Sequence, residues 1–166
     1  TDADTDTDAD PLPYEAQPEI SGRQVRLDLE GGFFDRPFPL DATLEADGTI
    51  DVSGFPHEDQ SIVEAYLDYA DRLEGYSTTA GIFLPFDGAL DPASLPADGH
   101  ASLAADAAAF LVNVTPGSGS YAERVPVWIE FKSEPEVYSA ANLLVAVAVP
   151  GVALAPEETY ALVVTD

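Results

Sequence analysis

Gly81-Ile-Phe-Leu-Pro-Phe86, Ala109-Phe-Leu-Val-Asn-Val114, Arg124-Val-Pro-Val-Trp-Ile-Glu-Phe131, Asn142-Leu-Leu-Val-Ala-Val-Ala-Val149 and Thr159-Tyr-Ala-Leu-Val-Val-Thr165 are the runs that decide the fold. Gly, Pro and Asp turns separate them at nearly even spacing. Each run is too short for most helices and long enough for a strand. Several such runs in series predict a mainly β chain, an Ig-like antiparallel β-sandwich. Pro126 interrupts the third run. Proline has no N–H for a ladder, so an edge strand or a bulge is expected there. Trp128 alternates with Val127 and Ile129, which predicts a place in the core or between sheets.

Working outward, Gln24-Val-Arg-Leu-Asp-Leu-Glu30 alternates as a half-buried strand does. Phe33-Phe-Asp-Arg-Pro-Phe-Pro-Leu40 is too rich in proline for a central strand, and is expected to pack irregularly over one end of the core. Leu44-Glu-Ala-Asp-Gly-Thr-Ile-Asp-Val52 reads as a hairpin with a two-residue turn at Asp47-Gly48. Ser61-Ile-Val-Glu64 has the spacing of a capping box. Ile62, Val63, Tyr66, Leu67, Ala70 and Leu73 follow at helical spacing and make one apolar stripe. The expectation is one accessory α-helix over about residues 61–74, stopped by Gly75 and packed across the sandwich or into one open end.

Shorter signals fill the connections. Ser77-Thr-Thr79 reads as a turn held by its own hydroxyls. Leu90-Asp-Pro-Ala-Ser-Leu95 predicts a short helical turn with Asp91 as cap and Pro92 first. Residues 101–109 fit a helical turn or a loop. Pro116-Gly-Ser-Gly-Ser-Tyr121 reads as a flexible connection. Tyr160, near the Leu154-Ala-Pro156 turn, is expected to place its hydroxyl on a backbone carbonyl, as in the tyrosine corner of sandwiches.

Thirty-one acids against six bases give a net charge of −25, and Lys132 is the single lysine. A surface this acidic repels nucleic acid and anionic lipid. It also suits high ionic strength, where salt screens self-repulsion. There is no cysteine, hence no disulfide and no thiolate metal site. No stretch approaches the ~20 apolar residues of a membrane span. The chain starts without a methionine or a signal peptide and reads as a processed or excised piece of a longer product.

Residues 1–18 read as a disordered acidic Asp/Thr linker, and residues 19–166 as the Ig-like β-sandwich domain. The first ten residues hold nothing apolar larger than alanine, so ordering them would bury nothing. A calcium loop competes, since Asp4, Asp6, Asp8, Asp10 and Glu15 fall on EF-hand ligand positions. Ala9 stands where that loop needs glycine, and Pro11 and Pro13 interrupt it.

Catalytic signals are weak. Gly117-Ser-Gly-Ser120 lacks the Gly-x-Ser-x-Gly spacing of a nucleophile elbow. His57 and His100 sit among turn residues and acids, and read as exposed loop histidines. Glu134 with Glu136, or Asp68 with Asp71, are carboxylate pairs that any chain this acidic contains. No catalytic, cofactor-binding or metal residue is assigned, and no cofactor is expected.

Pro37-Phe-Pro-Leu-Asp41 and Asp47-Gly-Thr-Ile50, then Leu73-Glu-Gly-Tyr-Ser-Thr-Thr-Ala80 and Phe86-Asp-Gly-Ala-Leu-Asp-Pro-Ala-Ser94, occur in one order with Leu144 to Pro150 and Leu154-Ala-Pro-Glu-Glu-Thr-Tyr-Ala-Leu-Val-Val-Thr165. In that order they resemble the N-terminal domain of bacterial extracellular lipases of the virulence-factor type, and the wider set of bacterial Ig-like modules. In that family a catalytic α/β-hydrolase domain follows the module. The resemblance therefore implies a non-catalytic accessory or spacer module of a secreted or surface-anchored hydrolase. Its expected partner is a downstream catalytic domain or a neighbouring surface protein. The alternative is a structural or adhesive subunit of an extracellular assembly, self-associating through an edge strand such as the proline-broken run at Arg124. Both expectations are extracellular, and neither involves nucleic acid or a membrane span.

Overall fold

Leu143–Ala148 is the strand around which the chain is organised. Leu143 and Leu144 point to opposite faces of it, and both have 0% of their surface exposed. A strand covered on both faces must be apolar at every position, which explains its continuous run of Leu, Val and Ala. The computed structural model describes residues 22–52, 54–57 and 60–165. The linker expected over 1–18 and the competing calcium loop lie outside the described residues.

Six strands form two antiparallel three-stranded sheets: β1 (Ile82–Pro85), β2 (Ala109–Asn113), β3 (Arg124–Val125), β4 (Val127–Lys132), β5 (Leu143–Ala148) and β6 (Tyr160–Val164). One sheet has the order β1-β5-β4 and the other β3-β2-β6. All five expected runs are strands. Pro126 divides the third, leaving β3 at an edge of one sheet and β4 at an edge of the other.

Two apolar clusters use the two faces of β5. Leu144 and Ala146 pack with Leu84 and Phe86, against Ile129 and Phe131 of β4 and Leu162 and Val164 of β6. Leu143 and Val145 face an aromatic cluster built on Phe33 and Phe34. Phe33 lies edge-on to Phe34 and Phe55, with ring centroids 5.0 and 5.2 Å apart. Phe38 meets Tyr76 edge-on at 5.5 Å. Residues 33–40 thus pack irregularly over the core as expected, entering it through a 3-10 turn at Phe33–Asp35. Tyr76 donates to the Leu40 carbonyl at 2.7 Å and ties that segment down.

Four expectations need correction. Residues 24–30 do not form a strand. Val25 makes one bridge to Phe86, Arg26 N–H donates to the Pro85 carbonyl, and Leu27 and Leu29 are exposed. Asp28 ends any pairing, because its carboxylate takes the amides of Glu30 and Gly31 at 3.0 and 3.1 Å and turns the chain. The hairpin at 44–52 is present, with a Leu44–Ile50 bridge and Glu45 N–H donating to Thr49 O at 2.9 Å, but its loop has three residues, 46–48, rather than two. Gly48 N–H returns to Glu45 O at 2.9 Å with Gly48 at φ +86°, so Ala46 and Asp47 are the central turn residues and Gly48 takes the left-handed position.

The helix α1 spans Ser61–Ala70, four residues short of the expectation. Its N-cap is Gln60 rather than Ser61, and the Gln60 side chain makes no cap bond, so the Ser61–Glu64 spacing does not form the expected capping box. The helix closes early because Arg72 and Leu73 bond back to Tyr69 and Ala70 in tight turns, and Glu74 then bridges to Thr49. Gly75 has the expected positive φ, +68°, five residues after the last helical one. The stripe is only partly covered. Leu67 and Ala70 reach the aromatic cluster, whereas Ile62, Tyr66 and Leu73 face solvent. Trp128 is the fourth correction: it is 49% exposed. Val127 is fully buried, with its amide held by the buried Ser102 hydroxyl at 3.0 Å, and the alternation of side chains along β4 then sends Trp128 to the outer face.

The small turns agree with the sequence. Pro92–Ser94 is a 3-10 turn, with Asp91 Oδ1 accepting from Ala93 N at 2.9 Å. Ala101–Leu103 is another, so of the stretch left open at 101–109 the first three residues are a helical turn and 104–108 are turn and loop leading into β2.

Candidate functional site: an open strand edge above an apolar cleft

The two sheets are joined on one side by the backbone that runs from β3 through Pro126 into β4. On the other side β1 and β6 have no such link, and a cleft of about 560 Å³ lies between them. Leu84, Phe86, Leu90, Leu95, Leu162 and Val164 supply its apolar walls, and Asp91, Ser94 and Thr165 line it as well. Arg23 borders it as its basic group. The volume falls within the ~300–1,000 Å³ of small-ligand clefts.

The bonding state of the β6 edge follows from its register. Phe110 pairs with Val163 and Val112 with Ala161. At the ends, Thr165 N–H donates to Ala108 O at 2.8 Å and Val114 N–H to Thr159 O at 2.9 Å. Hydrogen-bonded and non-bonded pairs alternate along an antiparallel ladder. Thr159, Ala161, Val163 and Thr165 therefore direct their amides and carbonyls to β2. Tyr160, Leu162 and Val164 direct theirs away from β2, along an edge that no other described strand pairs with.

The polar clusters do a different job. Asn113 is 1% exposed, and all its side-chain bonds are internal. Its Nδ2 donates to Ser120 Oγ at 2.8 Å and to Glu158, while its Oδ1 accepts from Thr115 N at 2.8 Å. Glu158 also accepts from Ser118 Oγ at 2.6 Å and from the Tyr160 hydroxyl at 3.1 Å. The segment read as a flexible connection at 116–121 is thus clasped to the turn before β6. Tyr160 corrects the tyrosine-corner expectation. Its hydroxyl accepts from the Ala155 amide at 3.0 Å and donates to Glu158, so a carboxylate replaces the carbonyl.

The clasp sets a pH dependence. The Ser118 hydroxyl, foremost, holds Glu158 below the ordinary carboxylate range, with Tyr160, Asn113 and Ser120 helping. A carboxylate whose folded value is depressed stabilises above its unfolded value, and that stability is lost as pH falls through the folded one. Burial pushes the Tyr160 hydroxyl up, so its contribution is present below the ordinary phenol value and lost as pH rises through the folded one. Glu158→Gln is therefore expected to lower stability at neutral pH and to flatten the fall between about pH 5 and pH 3. Urea midpoints measured along a pH series test this. An unchanged acid limb would remove Glu158 from its cause.

The remaining candidates also bond locally. Ser102 donates to Gly99 O at 2.8 Å and receives the Val127 amide. Asp98 takes the amides of His100 and Ala101 at 2.9 and 2.8 Å. His57 is the exception: it is half-buried rather than exposed as expected, and its Nδ1 lies 3.6 Å from Glu64 without a hydrogen bond among the described residues. Glu136 pairs with Lys132 at 2.8 Å, and Asp71 accepts the Val52 amide at 3.2 Å. Among the described residues no group of three or more His, Asp or Glu side chains has a geometry that could hold a metal ion. Among them, no helix is long and apolar enough to cross a membrane.

Sequence reasoning missed the Glu158 clasp and the cleft. Members of the clasp come from β2, the 116–121 segment and the turn before β6, and no local motif joins them. The one available signal was Asn113, a polar residue inside an otherwise apolar run. No family model, no curated protein and no solved structure matches this chain.

Proposed function

We propose that this domain is a non-catalytic accessory module of a larger secreted or surface-anchored protein, built as an Ig-like β-sandwich. The observation that carries the reading is the use of its convergent polar groups. Asn113, Ser118, Ser120, Glu158 and Tyr160 bond to one another and hold a loop, and Ser102 holds β4. A catalytic serine needs a base beside its hydroxyl and donors around a developing oxyanion. The Ser118 and Ser120 hydroxyls are instead donors to a carboxylate. The resemblance to lipase N-terminal domains supplies the class of enzyme such a module would serve, an extracellular ester hydrolase.

Residues 19–166 produced alone are expected to fold and to leave p-nitrophenyl butyrate unhydrolysed above the buffer rate. Robust hydrolysis that disappears in Ser118→Ala, Ser120→Ala or Ser102→Ala would overturn the proposal. The second reading, a structural or adhesive subunit, is favoured by the open edge of β6. It requires sedimentation that depends on concentration, whereas the accessory module sediments as a monomer.

A further inference from the structure

We infer that the β6 edge is an acceptor for an extended segment of another polypeptide, with apolar side chains at alternate positions and lysine or arginine around them. The acceptor edge goes beyond the accessory role and stands or falls separately from it. Three features define the occupant. The first is the backbone. Leu162 and Val164 present amides and carbonyls outward at a two-residue repeat, which a β-strand matches and a helix does not.

The second feature is the direction of the side chains. Leu162 and Val164 also face inward, packing with Leu84 and Phe86. A strand laid against β6 would continue that inner face, and every second side chain of it would enter the cleft beside Leu90 and Leu95. An all-polar strand would leave these walls wet, so the segment must alternate.

The third feature is charge. Arg23 and Asp91 both line the cleft, and Asp87 and Asp106 add exposed carboxylates on the stretches next to Phe86 and Ala108. The whole chain carries −25. A second copy would bring the same charge to the edge, and an anionic amphiphile would meet the same field. A segment with basic flanks meets the opposite sign, which favours both its encounter and its selection over a second copy.

The test uses the full ¹⁵N-labelled chain and a short capped peptide with lysine at each end and valine and threonine alternating between. In the free protein the Ala161 and Val163 amides should exchange slowly and those of Leu162 and Val164 fast. Saturating peptide should slow Leu162 and Val164 by at least about tenfold and leave Ala161 and Val163 as they were. Val164→Pro removes an outward N–H and no bond to β2, so it should abolish binding while Ala161 and Val163 stay protected. Ser94→Trp, which fills the cleft without touching the β2–β6 ladder, should weaken binding at least tenfold should the proline variant lose its fold.

Several outcomes would overturn the inference. One is no protection at millimolar peptide. A second is equal binding of a peptide with its valines clustered, or of one with glutamate in place of lysine. A third is equal protection by laurate, which would assign the cleft to an amphiphile. The last is protection that grows with protein concentration in the absence of peptide, which would assign the edge to a second copy.

Discussion

Leu144→Ala is expected to destabilise the protein by about 2–5 kcal/mol, and Leu143→Ala by a similar amount. Both side chains are fully enclosed, on opposite faces of the central strand β5. Leu144 fills the space shared with β4, β6 and β1, and Leu143 closes the aromatic cluster. Each truncation leaves a void whose walls belong to different strands or layers and cannot all move in. Against a total of roughly 5–15 kcal/mol, losing both removes most of the stability. Urea unfolding of the single and double variants measures this. A loss below about 1 kcal/mol at either position would show that its face of β5 is not packed.

Salt should act in the opposite direction. Raising ionic strength from about 0.15 M to about 1 M shortens the screening length from ~8 Å to ~3 Å, and the melting temperature is expected to rise. Thirty-one acids face six bases, and the described residues hold two ion pairs between permanently charged groups, Arg26 with Asp35 and Lys132 with Glu136. Both pairs are at least partly exposed and contribute little. The electrostatic balance is therefore dominated by repulsion between carboxylates. Each 1 kcal/mol of repulsion that salt removes raises the midpoint by roughly 2–4 °C at this chain length. A midpoint that stays fixed across a sodium chloride series would mean the acids lie too far apart to repel.

The strands of the second half were legible because turn residues bracket runs of strand length. β5 announced itself further, since unbroken apolar character marks a strand covered on both faces. The misreadings share one cause: a local pattern cannot say which neighbour arrives. Residues 24–30 alternate correctly, but the pairing with the 85–87 stretch stops after Arg26, with a single bridge at Val25, and Asp28 then turns the chain. Ile62 and Tyr66 belong to the helical stripe, but the aromatic cluster reaches only its Leu67 and Ala70 side. Trp128 looked internal from its apolar neighbours, but Val127 takes the buried face of β4 and alternation leaves Trp128 on the outer one. Of the site, Leu162 and Val164 were legible as strand residues. That their edge is open depends on strand order, which a single sequence does not carry.

The interleaved strand order has a consequence for how the molecule is made. β5 cannot meet β1 until the chain has grown from residue 82 past residue 148, and β2 waits for β6 until residue 164. Neither sheet is a local unit that a ribosome could release early. The β4–β5 and β2–β3 pairs are local and can form early, but each sheet is completed only by a distant pairing, β1 with β5 and β2 with β6, so its completion is slow for the size of the domain. Through that interval the dense carboxylates keep neighbouring nascent chains apart, and the charge that strains the finished domain protects the unfinished one.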